Sequence, residues 1–146
     1  MFTFYSKILV AYDGSKLSKK ALNDAIELAR QNPDVDLKVV TVLTNFTSYV
    51  GYDVYDVTFV QKMRNETEKI VKEAEEALKS AELENTFTTH LLEGNAGKKI
   101  VEFANEHDCD LIILGSRGLS GLKELFLGSV SHYVIQHAKC PVFVVK

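Results

Sequence analysis

The sequence lacks long apolar runs and a concentrated basic segment. Its apolar runs extend over only a few residues, well short of the ~20 that a membrane-spanning helix needs. The 17 basic and 20 acidic residues give a net charge of -3, without a basic run. A protein that binds nucleic acid usually carries such a run or patch. We therefore expect neither a membrane nor a nucleic acid among the partners.

Cysteine is also scarce. The chain has two cysteines, Cys109 and Cys140, too few for a disulfide framework, and they do not form a C-x-x-C pair. The N-terminus has no basic segment before an adequate apolar stretch, so no signal peptide is predicted. We expect a cytoplasmic protein with reduced, structural cysteines; a redox role is the less favoured alternative. The four histidines show no metal-ligand spacing, and no protein metal site is predicted.

What the chain does have is the composition of one globular domain. It contains 146 residues, of which 46% are apolar and 25% charged, both near the averages for folded proteins. This length is enough to bury a core in a single unit. We therefore predict one domain over residues 1–146.

Apolar runs alternate with amphipathic segments along the chain. The predicted strands are 7–12, 37–43, 86–92, 110–114 and 140–146, and the predicted helices are 17–31, 58–81, 96–107 and 129–138. Between the second strand and the second helix, residues 44–57 are predicted to form a long tyrosine-rich loop. Its aromatic residues either serve a function or pack on their own domain.

Strict alternation of strands and helices predicts an α/β fold of the flavodoxin or Rossmann-like kind, with helices on both faces of a parallel sheet. Right-handed crossovers favour the strand order 3-2-1-4-5. The order reverses between strands 1 and 4, and ligands bind beyond the carboxyl ends of such strands. The turn Asp13-Gly14-Ser15 follows strand 1 and a glycine-rich stretch follows strand 4, so both are predicted to meet there.

The glycine-rich stretch has a defined spacing: Gly115, two residues, Gly118, nine residues, then Gly128-Ser129. It matches neither a Walker A loop nor G-x-G-x-x-G. Glycines let backbone N–H groups approach a ligand without a Cβ in the way. The following helix offers unpaired N–H groups at its first turn, and Ser129 and Ser131 add hydroxyls. These features favour a phosphate site, the alternative being an ordinary loop between a strand and a helix.

The spacing resembles the ATP-binding signature of the universal stress protein family. The opening segment 7–15 and the closing segment 132–145 also look like that family, so the resemblance covers nearly the whole chain. One departure is Asn95-Ala96, where the family often has a proline after the glycine of that turn. It affects the start of a helix and not the nucleotide site.

The resemblance implies a nucleotide site, with ATP as the ligand and Mg²⁺ held mainly by the ATP phosphates. Asp13 is expected near the nucleotide, and the backbone of Val42 is expected to contact the base. Ala11, Tyr12 and Val42 are expected to line the adenine and ribose; Leu114, Gly115, Arg117 and Gly118 to surround the ribose and phosphates; and Gly128, Ser129, Val130 and Ser131 to hold the phosphates. Each also has a structural alternative: Asp13 could cap the first helix, Val42 is core in any case, and Arg117 and Ser131 could face solvent.

Three functions remain open. The first is a regulatory ATP-binding homodimer in the stress response, acting through protein partners that the sequence does not identify. The second is a slow ATPase or phosphotransfer enzyme on the same scaffold, although no residue is predicted to be catalytic. The third is a dimeric interaction protein without nucleotide. The dimer is predicted because strand 5, with Val142, Phe143, Val144 and Val145, lies at an apolar sheet edge.

Overall fold

Strands and helices alternate strictly in the computed structural model, which describes residues 5–44, 57–119 and 127–146. The elements are β1 (Lys7–Ala11), α1 (Lys16–Arg30), β2 (Asp36–Thr44), α2 (Val57–Ser80), β3 (Phe87–Gly94), α3 (Ala96–Glu106), β4 (Leu111–Gly115), α4 (Ser129–His137) and β5 (Val142–Val145). The alternation predicted from the sequence is confirmed. The tyrosine-rich loop lies outside the described residues, apart from its two ends, Thr44 in β2 and Val57 in α2.

The five strands form one parallel sheet in the order β3-β2-β1-β4-β5, which confirms the predicted topology. β1 pairs with β2 on one side and with β4 on the other, where Ile8 lies opposite Leu111 and Val10 opposite Ile113. The direction of winding therefore reverses between β1 and β4. The loops after these two strands leave the same edge of the sheet side by side.

Alternation along the strands divides the core into two layers. Ile8 and Val10 of β1 pack with α1 and α2 on one face of the sheet, and Leu9 packs with α3 and α4 on the other. Helices on both faces agree with the prediction. The first turns of α2 carry exposed apolar residues, since Val57 is 85% and Val60 50% exposed.

The connection from α1 to β2 is held by a buried asparagine. Asn85 is 6% exposed, and its Nδ2 lies 2.8 to 3.0 Å from the carbonyl oxygens of Ala29, Asn32 and Val35. Carbonyls at the end of a helix lack the N–H groups of a following helical turn, and this side-chain amide adds a donor to the backbone N–H groups that Ala29 and Asn32 already accept. The loops after β1 and β4 lie at the opposite end of the sheet.

β3 and β5 form the two edges of the sheet. Both edge positions agree with the predicted strand order. In β5, Phe143 is 47% exposed, whereas Val145 is 3% exposed and belongs to the core. Among the described residues, none of the helices combines the length and apolar character required to cross a membrane.

Candidate functional site

Asp13 joins the loops that follow β1 and β4. Its Oδ1 accepts a hydrogen bond from the Ser15 N–H at 2.9 Å, and its Oδ2 accepts one from the Leu119 N–H at 3.1 Å. A carboxylate that accepts two backbone N–H groups forms charge-assisted bonds, which are stronger than neutral ones. The two loops that the sequence placed together are therefore connected through one side chain.

The N-cap of α1 is Ser15 and not Asp13. The Ser15 Oγ accepts the Ser18 N–H at 3.2 Å, which satisfies one of the unpaired donors at the helix start. The Asp13 N–H in turn donates to the Ser18 Oγ at 3.3 Å. The alternative in which Asp13 merely caps α1 is therefore wrong. Ser15 is the N-cap, and Asp13 accepts the Leu119 N–H in the loop after β4.

Gly118 makes room for the Asp13 carboxylate. A Cβ placed on Gly118 would lie 2.6 Å from Asp13 Oδ2, closer than real Cβ contacts, so the carboxylate would have to move. This contact gives Gly118 a reason within the fold, in addition to the room for a ligand expected from the sequence. The missing side chain first of all lets the Asp13 carboxylate approach the backbone of Gly118 and Leu119.

Gly115 has a similar reason within the fold. A Cβ on Gly115 would lie 2.8 Å from the Leu17 Cβ and 3.1 Å from the Leu17 carbonyl carbon. Because backbone atoms of α1 cannot rotate away, the end of β4 and the first turn of α1 could not pack as closely with any other residue. Two of the three motif glycines therefore serve contacts inside the protein.

Gly128 differs from the other two. A Cβ on Gly128 would lie 3.4 Å from the Arg117 Cα and from the Ser116 carbonyl oxygen, which requires only small adjustments. Its φ of -75° and ψ of 167° are open to any residue. Among the described residues, the fold therefore makes little demand for glycine at this position.

The start of α4 offers backbone donors. The His132 N–H donates to the Gly128 carbonyl at 3.0 Å and closes the first turn. The N–H groups of Ser129, Val130 and Ser131 precede this first intrahelical bond. Such groups, together with the positive end of the helix dipole, attract anions. Ser129 is exposed, so its hydroxyl can reach a bound group.

Ser131 does not direct its hydroxyl to solvent. The residue is 2% exposed, and its Oγ donates to the Ser116 carbonyl at 2.8 Å, with the Gly128 carbonyl at 3.0 Å. The alternative in which Ser131 faces solvent is wrong. Its predicted contact with phosphate can run through its backbone N–H, since the hydroxyl hydrogen is already donated within the protein.

The three residues expected to line the adenine and ribose, and Leu114, which was expected to surround the ribose and phosphates, do not all share one face of the sheet. Ala11, Val42 and Leu114 pack on the side of α3 and α4, whereas Tyr12 packs on the side of α1 and α2. Tyr12 is 3% exposed. The structure therefore brings three of these side chains to one layer and separates the fourth.

The Tyr12 hydroxyl is used inside the protein. It donates to Glu73 Oε1 of α2 at 2.9 Å, and Glu73 also pairs with Lys19 at 3.1 Å. Burial and the bond to Glu73 raise the pKa of Tyr12 above its ordinary value, and the bonds from Tyr12 and Lys19 lower the pKa of Glu73. Only the backbone of Tyr12 is left to contact a ligand. Glu73 was missed in the sequence because it stands among many charged residues of α2.

Arg117 is half-buried between Ser116 and Gly118. Part of the motif, residues 120–126, lies outside the described residues. Ser116 was also missed, although a serine directly after the first motif glycine could have signalled it. Its carbonyl accepts both the Gly128 N–H at 2.7 Å and the Ser131 hydroxyl, so it fixes the start of α4 to the end of β4.

Other chemistry in the described part of the chain is weak. No group of three or more histidine, cysteine or acidic side chains there is arranged to hold a metal ion. Burial raises the pKa of Cys109 to about 11 and also raises that of Cys140. Thiols with raised pKa values carry little thiolate at neutral pH and are poor nucleophiles, which suits structural cysteines.

Comparisons with known proteins agree on one family. The model of the universal stress protein family matches residues 4–146. The universal stress protein YxiE of Bacillus subtilis (strain 168) is 38% identical over 150 residues, covering 97% of this chain and 99% of the relative.

Two solved structures have the same fold. The protein MJ0577 has a TM-score of 0.85 at 25% identity and covers 99% of this chain and 97% of its own. A universal stress protein solved in complex with cAMP has a TM-score of 0.70 at 25% identity, covering 99% of this chain and 98% of its own.

Proposed function

The chain belongs to the universal stress protein family, and from that premise we propose that it binds ATP and acts through its nucleotide state. The observation that carries the proposal is the start of α4. Backbone N–H groups of residues 129–131 lie there beside Gly128, where a Cβ would come no closer than 3.4 Å to the described residues. A helix start with glycine in front of it suits a phosphate group.

The adenosine part of the ligand is supported by two further observations. The half-buried Ala11 and Val42 supply apolar surface on two neighbouring strands, and the buried Leu114 packs in the same layer. One solved structure of the family holds cAMP, an adenine nucleotide. In this proposal, the N–H groups at the start of α4 bind the phosphates of ATP, and the apolar strand ends contact its adenine ring.

Asp13 suits a cation or a ribose hydroxyl. A carboxylate only accepts hydrogen bonds, so it would repel a phosphate placed directly against it. Both Asp13 oxygens already accept one N–H each and retain further lone pairs. Mg²⁺ held mainly by the phosphates would supply the charge that lets Asp13 and the triphosphate lie close together.

Calorimetry tests nucleotide binding. ATP, ADP, AMP and adenosine are titrated into the protein with and without Mg²⁺, and thermal unfolding is followed in parallel. We expect micromolar affinity for ATP, about -8 kcal/mol, and a higher Tm because the ligand binds only the native state. No heat and no gain in Tm at millimolar ATP would overturn the proposal and favour an interaction protein without nucleotide.

The enzyme alternative makes a different prediction. Among the described residues at this end of the sheet, Asp13 is the carboxylate joined to the motif loop, and its oxygens are engaged with backbone N–H groups. Water needs a positioned base to become a good nucleophile. We expect no hydrolysis or very slow hydrolysis; steady-state turnover near the enzyme median of ~10 s⁻¹ would identify an ATPase instead.

We also propose a homodimer through β5, because the exposed Phe143 lies on an edge strand beside half-buried Val142 and Val144. An open apolar edge favours pairing with a second strand, and antiparallel pairing about a two-fold axis satisfies both copies. Val145 is buried in its own chain and would contribute through its backbone. Phe143→Lys is the suitable variant, because Val142 and Val144 also pack on the core.

Sedimentation velocity at tens of micromolar tests the dimer. We expect a wild-type dimer and a folded Phe143→Lys monomer, since like charges would face each other across the two-fold axis. A monomeric wild type would contradict the dimer without affecting the nucleotide proposal.

The stress role and the cytoplasmic location remain predictions; fractionation of native cells tests the location.

A further inference from the structure

The hydroxyl of Ser131 is committed to the interior of the protein. Its Oγ lies 2.8 Å from the Ser116 carbonyl and 3.0 Å from the Gly128 carbonyl, and the residue is 2% exposed. A hydroxyl carries one hydrogen, and here that hydrogen points at carbonyl oxygens. It could not be donated to a phosphate unless this bond broke.

Ser116 is itself firmly held. Its N–H donates to the Val145 carbonyl of β5 at 2.8 Å, and its carbonyl accepts the Gly128 N–H at 2.7 Å as well as the Ser131 hydroxyl. The sheet therefore fixes Ser116, and Ser116 fixes the first turn of α4 at two points. The direction of the N–H groups in that turn depends on these two bonds.

The N-cap of α4 explains why the second bond is needed. Most helices begin with a side chain that accepts an N–H of the first turn, but the N-cap of α4 is Gly128, which has no side chain to do so. A capping side chain would also stand where a ligand approaches the helix start. The Ser131 hydroxyl anchors the same turn from the buried side, whereas Ser129 in that turn is exposed.

We infer that Ser131 is a positioning residue of the nucleotide site: its hydroxyl holds the start of α4 on Ser116 so that the outer N–H groups face the phosphates. This inference rests on the proposed function. It assigns Ser131 a different role from Ser129, whose exposed hydroxyl lies at the first position of the helix. Ser129 can contact the ligand directly, whereas Ser131 acts through the backbone.

Hydrogen exchange of the ligand-free full chain tests the first half of the inference. In Ser131→Ala, exchange of the Gly128 amide should rise about tenfold, as expected when one of the two bonds to Ser116 is lost. Ser129→Ala is the matched control and should leave the Gly128 amide unchanged. The Val39 amide in the middle of the sheet should not respond to either change, which excludes a general loss of stability.

Calorimetry of the same variants tests the second half. Ser131→Ala should weaken ATP binding about tenfold but adenosine binding by less than about twofold, because only the phosphates contact the start of α4. Ser129→Ala should weaken ATP binding without faster exchange at Gly128. Ser131→Thr keeps the hydroxyl and should restore both the Gly128 protection and the ATP affinity.

The outcomes separate the two proposals. Weaker ATP binding in Ser131→Ala with unchanged Gly128 exchange would overturn the inference, because Ser131 would then be a direct ligand. A Ser131→Thr variant that behaves like Ser131→Ala would also overturn it. If the wild type binds no ATP while Gly128 exchange rises in Ser131→Ala, the proposed function fails, and Ser131 keeps only its hold on α4.

Discussion

The loop after β4 and the start of α4 belong to the same glycine motif, but their glycines differ in how close a side chain would come to neighbouring atoms. In the loop, a side chain on Gly115 would meet the backbone of Leu17 at 3.1 Å, and one on Gly118 would meet the Asp13 carboxylate at 2.6 Å. At the start of α4, a Cβ on Gly128 would lie 3.4 Å from its nearest neighbours among residues 5–44, 57–119 and 127–146.

This difference divides the motif into a part with close contacts inside the protein and a part that the proposed function assigns to the ligand. The first two glycines allow the protein to close on itself around Asp13 and Leu17. At the third, a Cβ would come no closer than 3.4 Å to the described part of the chain. A sequence motif of regular spacing can therefore combine two physical causes, and only substitutions at each position separate them.

The largest effect is expected for Gly115→Val. The new side chain would push on backbone atoms of Leu17 in the first turn of α1, and overpacking of this kind costs about 3 kcal/mol of the free energy of unfolding. Urea denaturation measures it, with Gly128→Val as the comparison. If both variants lose the same stability, the division of the motif is wrong.

Gly128→Val should mainly affect the ligand. We expect ATP affinity to fall at least about a hundredfold, near 2.7 kcal/mol, because the side chain covers the start of α4. The free energy of unfolding should fall by only about 1 kcal/mol, since valine is a poor N-cap. Calorimetry and urea denaturation measure the two quantities; unchanged ATP affinity would place the phosphates elsewhere.

A double-mutant cycle sharpens the reason for Gly118. Gly118→Ala should cost about 1 kcal/mol of stability, because the new Cβ displaces the Asp13 carboxylate from the Leu119 N–H. In an Asp13→Ala background the same change should cost close to nothing, so the two substitutions should be strongly non-additive. Additive effects in thermal or urea unfolding would mean that Gly118 serves something other than Asp13.

The smallest effect is expected at His90 in the edge strand β3. It tests whether the loss of stability in acid arises there or at the candidate site. Burial, with Lys38 and His107 nearby, lowers the pKa of His90 below its ordinary 6.5, and Asp36 opposes this shift. The unfolded chain therefore takes up this proton first, so stability falls as pH drops through about 6.5.

His90→Gln should reduce the difference in urea midpoint between about pH 7.5 and pH 5.5, because glutamine does not titrate. His132→Gln, at an exposed position of α4, is the control and should retain the wild-type difference. If His132→Gln alone flattens the pH dependence, acid sensitivity belongs to the start of α4 and not to the sheet.

Much of this protein was determined by local sequence. Apolar runs such as 111–114 must be buried, and the helical periodicity between them requires crossovers, so the strand order β3-β2-β1-β4-β5 could be predicted. The meeting of Asp13 with the loop after β4 followed from that order. The spacing of Gly115, Gly118 and Gly128 identified the family, which the comparisons confirm.

Only the tertiary structure decided which helices each strand residue packs against and which groups each side chain contacts. The sequence could not tell that Tyr12 packs on α2 while Ala11 packs toward α3 and α4, since strand alternation fixes opposite faces but not which helices cover them. Nor could it tell that the Ser131 hydroxyl turns inward to Ser116, or that Gly118 makes room for Asp13. These contacts join residues 15 and 105 positions apart, and only the folded chain brings such partners within hydrogen-bond or van der Waals distance.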